Sequence, residues 1–134
     1  MDKEFSQLKS ILTEEKVERH GYTDFVGGRI GGHEIIALQC GIGKVNSAVG
    51  TVELINNYHP DLVVAGGASV ELNVMDVVVA TECVYHDAYC GSDVEYGQIM
   101  GMPARFRSPK ELVAKAVDSD KTGKVHSGLT VSGE

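Results

Sequence analysis

No apolar run in these 134 residues approaches the roughly 20 consecutive residues that span a bilayer, so no membrane-crossing helix is expected. Basic residues are few: twelve Lys and Arg stand against nineteen Asp and Glu, for a net charge of −7. The densest basic group, Arg105, Arg107 and Lys110, sits among turn residues, whereas binding to a phosphate backbone needs a clustered basic face. Nucleic acid is thereby excluded as a partner, which leaves small molecules and other protein chains. Cysteine is scarce too. Cys40, Cys83 and Cys90 are odd in number and form no CxxC pair, a usage that fits free, mostly buried thiols in a reducing cytoplasm. At the N-terminus, Met1-Asp2-Lys3-Glu4 puts acidic residues where a signal peptide carries positive charge and then an apolar stretch, so no leader is expected.

What the chain does have is a 43% hydrophobic content, enough for the core of one modest domain, and sixteen glycines that come in clusters. Gly27-Gly28, Gly31-Gly32, Gly41 with Gly43, and Gly66-Gly67 lie between apolar runs, where they mark tight turns and close backbone approaches. No internal repeat or low-complexity linker interrupts the chain, which therefore reads as a single domain over residues 1–134.

Phe5, Leu8, Ile11 and Leu12 recur at helical spacing and predict a short opening helix. Residues 24–30 and 33–39 read as extended segments joined through Gly31-Gly32, a hairpin signal. After Cys40-Gly41-Ile42-Gly43 a second helix is expected, with Val45, Ala48, Val49, Val52 and Ile55 on one face and Asn56, Asn57 and Pro60 at its end. The wholly apolar run 62–65 predicts a strand buried on both faces, and Val77-Val78-Val79 opens another that runs on to Tyr85. Together these two form the expected centre of the sheet. Residues 87–106 read as a long loop, of a length that usually serves function. Ser108-Pro109-Lys110-Glu111 has the form of a capping box with Pro at the first helical position, for a helix to about Val117. A last strand is expected at 125–131. Alternating strands and helices argue for an α/β layer fold with partly parallel strands, although three helices would cover a parallel sheet poorly.

Three motifs invite chemistry. Gly41-Ile42-Gly43-Lys44-Val45 joins a strand to a helix, but Val45 stands where a Walker loop needs Ser or Thr, and Asn46 where a dinucleotide fingerprint needs glycine. It reads as a strand-to-helix turn lining a pocket. Cys83, His86 and Cys90 could be zinc ligands, yet on a strand Cys83 and His86 would face opposite ways and no fourth ligand has a recognisable spacing. Glu4 lies in the first turn of the opening helix, where an acid ordinarily complements the helix dipole, a plainer reading than catalysis from the residues alone. Covalent catalysis has no foothold: there is no GxSxG elbow, and Cys90 has no evident paired base.

Read in order, Met1-Asp2-Lys3-Glu4-Phe5, Cys40-Gly41-Ile42-Gly43-Lys44-Val45, Ala65-Gly66-Gly67, Tyr85-His86-Asp87-Ala88, Glu95-Tyr96-Gly97-Gln98 and Gly128-Leu129-Thr130-Val131-Ser132-Gly133-Glu134 resemble the 5′-methylthioadenosine/S-adenosylhomocysteine nucleosidases of the purine nucleoside phosphorylase superfamily. The resemblance implies a three-layer α/β/α fold around a twisted mixed sheet, and a homodimer with active sites at the subunit interface. It implies hydrolysis of an N-glycosidic bond that yields adenine and a 5-thioribose product, as in methionine salvage, without cofactor or metal. Such a reaction needs an acid for the departing purine, a base to orient water, and groups that stabilise an oxocarbenium-like sugar. By this resemblance Glu4 is the water-orienting base, and Met1 lies near the ribose. Val64, Ala65 and Gly66 lay their backbone along the substrate, while Ile42, with Met100 from the partner subunit, encloses the 5′-alkylthio group.

Against the family pattern, the strand ahead of Met1 is absent and the run at 62–65 is a few residues short. The adenine-stacking aromatic, the Met-Glu pair for the ribose hydroxyls and the aspartate that assists the purine have no counterpart up to Glu134. The expectation is thus the N-terminal portion of the family domain, incomplete at both ends and inactive alone. A phosphorylase of the same superfamily is the alternative, but neither Arg29 nor Arg105 sits in a phosphate motif. A non-catalytic binding or dimerisation module is the other.

Overall fold

The computed structural model describes residues 2–66 and 72–133. Its contacts divide the chain into two compact units, Met1–Gly67 and Ala68–Glu134.

The first unit opens with α1 (Asp2–Ser10), followed by three antiparallel strands in the order β1-β2-β3: β1 (Thr13–His20), β2 (Thr23–Ile30) and β3 (His33–Leu38). Two-residue turns join the strands, since His20 pairs with Thr23 and Ile30 with His33. The second of these is the expected Gly31-Gly32 hairpin, and Gly31 takes a left-handed φ of 57°. Strand β1 carries no such local signal. Five of its eight residues are Glu, Lys or Arg and Val17 is its one aliphatic, so it lacks the alternation that marks a half-buried strand. Pairing with β2 holds it in place, and its charges suit an exposed sheet edge.

The core of this unit is Phe25, Val26, Ala37 and Leu54. Phe25 lies within an aromatic cluster, its ring centroid 5.5 Å from that of His20 and 5.2 Å from that of Tyr58. Tyr58 ends α2 (Lys44–Tyr58) and donates its hydroxyl to Glu18 at 3.0 Å, which pins that helix end to β1. Burial, reinforced by the Glu18 carboxylate, pushes the Tyr58 phenol up from its ordinary range. In its middle, Gly50 lets α2 approach the sheet closely: a Cβ there would stand 2.7 Å from Cys40 Cβ and 2.9 Å from Leu38 Cδ1. The helix therefore buries Gly50 and Leu54, and the stripe Val45, Val49, Val52 and Ile55 faces outward. Left-handed His59 caps it ahead of Pro60, as the sequence suggests.

One central expectation fails here. Residues 62–65 form no strand, and Leu62, Val63 and Val64 are exposed. A short apolar run specifies a need for cover, but a parallel strand also needs neighbours for its ladder, and no described strand pairs with this segment.

In the second unit, β4 (Val77–Tyr85) is the central strand, antiparallel to β5 (Phe106–Arg107) and parallel to β6 (Val125–Ser132). Helix α3 (Lys110–Ser119) packs on β4 and β6 and buries Val113. The capping box does not form. Ser108 N–H donates to Thr81 O at 3.0 Å, which keeps Ser108 with the strand and makes Pro109 the cap residue, with no side-chain cap bond. Between α3 and β6, the Asp120 carboxylate accepts from the Thr122 hydroxyl and from the N–H groups of Thr122, Lys124 and Val125 at 2.6–2.9 Å. These bonds, the Thr122 hydroxyl foremost, hold it far below the usual carboxylate range.

Ahead of β4, Asp76 N–H donates to Asn73 O at 3.0 Å and closes a four-residue turn whose third residue, Met75, has φ 78°. That φ is the type II value, for which glycine is suited and an L side chain is strained by roughly 1–2 kcal/mol. Met75 is exposed, so its side chain contributes little packing. Met75→Gly is expected to raise stability by about 0.5–1 kcal/mol, after allowing for the greater freedom of glycine in the unfolded chain. An unchanged or lower urea midpoint would show that the turn is not strained.

Candidate active site

In the first unit, acidic residues Asp2 and Glu4 occupy the first turn of α1. No residue of α1 is fully buried, but Phe5 and Leu8 are half-buried on one face, and polar contacts hold both ends of the helix. Gln39 Nε2, just past β3, donates to Asp2 Oδ1 at 2.8 Å, and Lys9 Nζ pairs with Glu15 at 3.1 Å. The first of these contacts joins the turn bearing Glu4 to the chain three residues ahead of Ile42.

The segment that follows is shaped by its glycines. Gly41 and Gly43 take φ values of 91° and 92°, a region L side chains rarely enter. Asn46 Nδ2 donates to Ile42 O at 2.6 Å and locks the turn from the helix side. Ile42 is thereby presented almost wholly to solvent, at 93% exposure. Beside it a cleft of about 540 Å³ is lined by Phe5 of α1, Cys40, Gly41 and Asn46 at the turn, and Val49 and Glu53 of α2. The structure thus places Glu4 and Ile42 at the same end of this sheet. Val64, Ala65 and Gly66 lie exposed in the irregular segment after α2, and Met1 falls outside the described residues.

Met100 belongs to the second unit, in the long connection between β4 and β5, and is exposed. That connection is ordered by its own bonds. Tyr96 donates its hydroxyl to His86 O at 2.9 Å, Gly97 N–H donates to Ala88 O at 3.0 Å, and Gln98 Nε2 donates to Met102 O at 2.8 Å. Gly97 has φ 88°, and a Cβ there would collide with the Tyr85 carbonyl. A second cleft, of about 650 Å³, runs along α3 past Thr81, Glu82, Arg107 and Ser108. Glu82 accepts from Arg105 at 3.0 Å and from Arg107 at 3.1 Å, so two guanidinium groups share one carboxylate. The Arg105 bond in particular holds the Glu82 carboxyl below its ordinary range.

Among the described residues no group of His, Cys, Asp or Glu is placed to hold a metal ion, and no helix is long and apolar enough to cross a membrane. The thiols are not buried as expected: Cys40 is exposed, and Cys83 and Cys90 are half-buried. Sequence reasoning did not single out Gln39, because a polar residue at a strand end is ordinary and its partner lies 37 positions away.

The arrangement can be set beside known proteins. The 5′-methylthioadenosine/S-adenosylhomocysteine nucleosidase of Bacillus cytotoxicus is 38% identical over an alignment that covers all of this chain and 62% of the relative. The crystal structure of the Neisseria meningitidis enzyme of that name, in complex with methylthio-immucillin-A, matches with a TM-score of 0.87 at 32% identity. That match covers all of this chain and 62% of the other. The nucleosidase of Colwellia psychrerythraea in complex with adenine matches with a TM-score of 0.88 at 34% identity, over 99% of this chain and 59% of the other. The α/β fold is therefore that of these nucleosidases, and the chain spans about 62% of the length of the curated relatives it matches. A family profile described as the phosphorylase superfamily matches residues 1–134, and the chain belongs to that superfamily.

Proposed function

We propose that these residues are one portion of a single nucleosidase domain that hydrolyses the N-glycosidic bond of 5′-methylthioadenosine and S-adenosylhomocysteine, releasing adenine and a 5-thioribose product. One observation carries the reading: the helix turn bearing Glu4 is tied to the chain just ahead of the Gly41-Ile42-Gly43 turn, through Gln39 and Asp2 at 2.8 Å. In this reading Glu4 orients the attacking water toward the anomeric carbon and takes its proton as the bond forms. The sugar passes through a cationic state, on the logic of an inverting glycosidase. Exposed Ile42 meets the 5′-alkylthio group, and in a homodimer Met100 of the partner subunit closes that apolar wall, which suits a thioether. Val64, Ala65 and Gly66 offer an unencumbered backbone edge to the substrate, and Met1 lies near the ribose. The setting is cytoplasmic methionine salvage.

The test is adenine release from methylthioadenosine by a chain completed to the relatives' length, in phosphate-free buffer. Release that does not depend on phosphate is expected. Release only on adding phosphate would make the protein a phosphorylase, and none under either condition would make it a non-catalytic module.

A further inference from the structure

We infer that Gln39 is a positioning residue for Glu4, acting through Asp2; the inference rests on the role proposed for Glu4. Helix α1 has nine residues, none of them fully buried and only Phe5 and Leu8 half-buried among its apolar side chains. Isolated helices shorter than about 12–15 residues are marginal in water, so α1 keeps its shape only through what anchors it. The Lys9–Glu15 pair at 3.1 Å holds its C-terminal turn. The N-terminal turn, where fraying would begin, is held by the Gln39 amide on the Asp2 carboxylate at 2.8 Å. Glu4 lies in that same turn, so freeing Asp2 loosens the backbone that aims Glu4. The donor suits the task because it is neutral. An amide satisfies one carboxylate oxygen of Asp2 and adds no cation beside a carboxylate that must act as a base. The spacing suits it as well, since Gln39 stands three residues before Ile42 and one contact thus fixes the base relative to the proposed thioether wall.

A base held loosely still binds its substrate through the other walls, so the loss should fall on kcat and spare KM. In the chain completed to the relatives' length, Gln39→Glu sets carboxylate against carboxylate with no change of size. It is expected to lower kcat on methylthioadenosine about tenfold, within the roughly 10²-fold that misplacement of reacting groups can cost, with KM changed by less than about twofold. Adding Asp2→Asn reverses the direction of the bond, the amide introduced on α1 now donating to the carboxylate introduced past β3, and is expected to restore most of kcat. Amide hydrogen exchange at residues 6–8, whose N–H groups close the first turn of α1, should quicken in Gln39→Glu and slow again in the double variant. Glu4→Gln in the same background separates the two ideas. If Glu4→Gln leaves kcat unchanged, the role of Glu4 fails and the positioning role with it. If Glu4→Gln lowers kcat while Gln39→Glu does not, or if Asp2→Asn fails to rescue Gln39→Glu, the positioning role alone is overturned.

Discussion

Glu4→Gln, in a chain completed to the relatives' length, is expected to lower kcat for methylthioadenosine hydrolysis by about 10²–10⁴-fold, the usual contribution of a positioned general base. Glutamine keeps the size of the side chain and can still hold a water molecule, but it cannot take the proton that the water must lose. Binding of an uncharged substrate analogue should change little, because the proposed site draws that affinity from its apolar wall and backbone edge. The helix should survive as well, since Glu4 is an exposed residue of a first turn that retains Asp2 as a complement to the helix dipole. Steady-state kinetics with an adenine readout, beside titration with the analogue, provides the check. Unchanged turnover would remove Glu4 from the mechanism. A parallel loss of binding would point instead to damage to α1.

The part of the fold legible in the sequence is the part written in local signals. The Gly31-Gly32 hairpin, α2 with its end just ahead of Pro60, and β4 opening on Val77-Val78-Val79 follow from turn chemistry and residue type, and all are present, although Asn56 and Asn57 fall inside the helix rather than ending it. What local signals could not give depends on partners distant in sequence. Strand β1 is a charged segment made into a strand by β2. The run 62–65 has the residues of a buried strand, yet no described strand pairs with it. The capping box at Ser108 is displaced by a single backbone bond to Thr81. The apolar stripe of α2 was readable as a stripe, but its direction was not, because Gly50 brings the opposite side of the helix onto β3.

The candidate site divides in the same way. Glu4 and Ile42 were legible only through the order of motifs along the chain, since neither an acid in a first helical turn nor an isoleucine between glycines is distinctive alone. Their common location at one end of the first sheet is set by the contact of Gln39 with Asp2, which no motif contains. Met100 reads as an exposed apolar residue on an internally bonded connection, a form suited to meeting another surface.

A polypeptide of these 134 residues alone is expected to release no measurable adenine from methylthioadenosine. Catalysis of this bond needs base, acid and cation stabilisation at once, and the resemblance assigns only the base, Glu4, to a residue of this chain. Without an acid, the purine must leave with its charge unneutralised. Without groups set around the developing sugar cation, the reaction forfeits preorganised electrostatic support, usually the largest single catalytic contribution. Positioning in the proposed site suffers too, because the hydrophobic residues described as buried in the first unit are only Phe25, Val26, Ala37 and Leu54, while Ile42 and Val64 stand exposed. A wall with so little behind it holds a substrate loosely, and misplacement alone can cost about 10²-fold. What remains is the proposed base on a tethered helix beside an open cleft of about 540 Å³, enough for weak binding at most. The assay compares the purified 134-residue polypeptide with the chain completed to the relatives' length, both followed by adenine release and both checked for folding by circular dichroism. Comparable rates from the two would mean that acid and cation stabilisation are supplied within these residues, and would redirect the search to the second cleft, where Glu82 lies between Arg105 and Arg107.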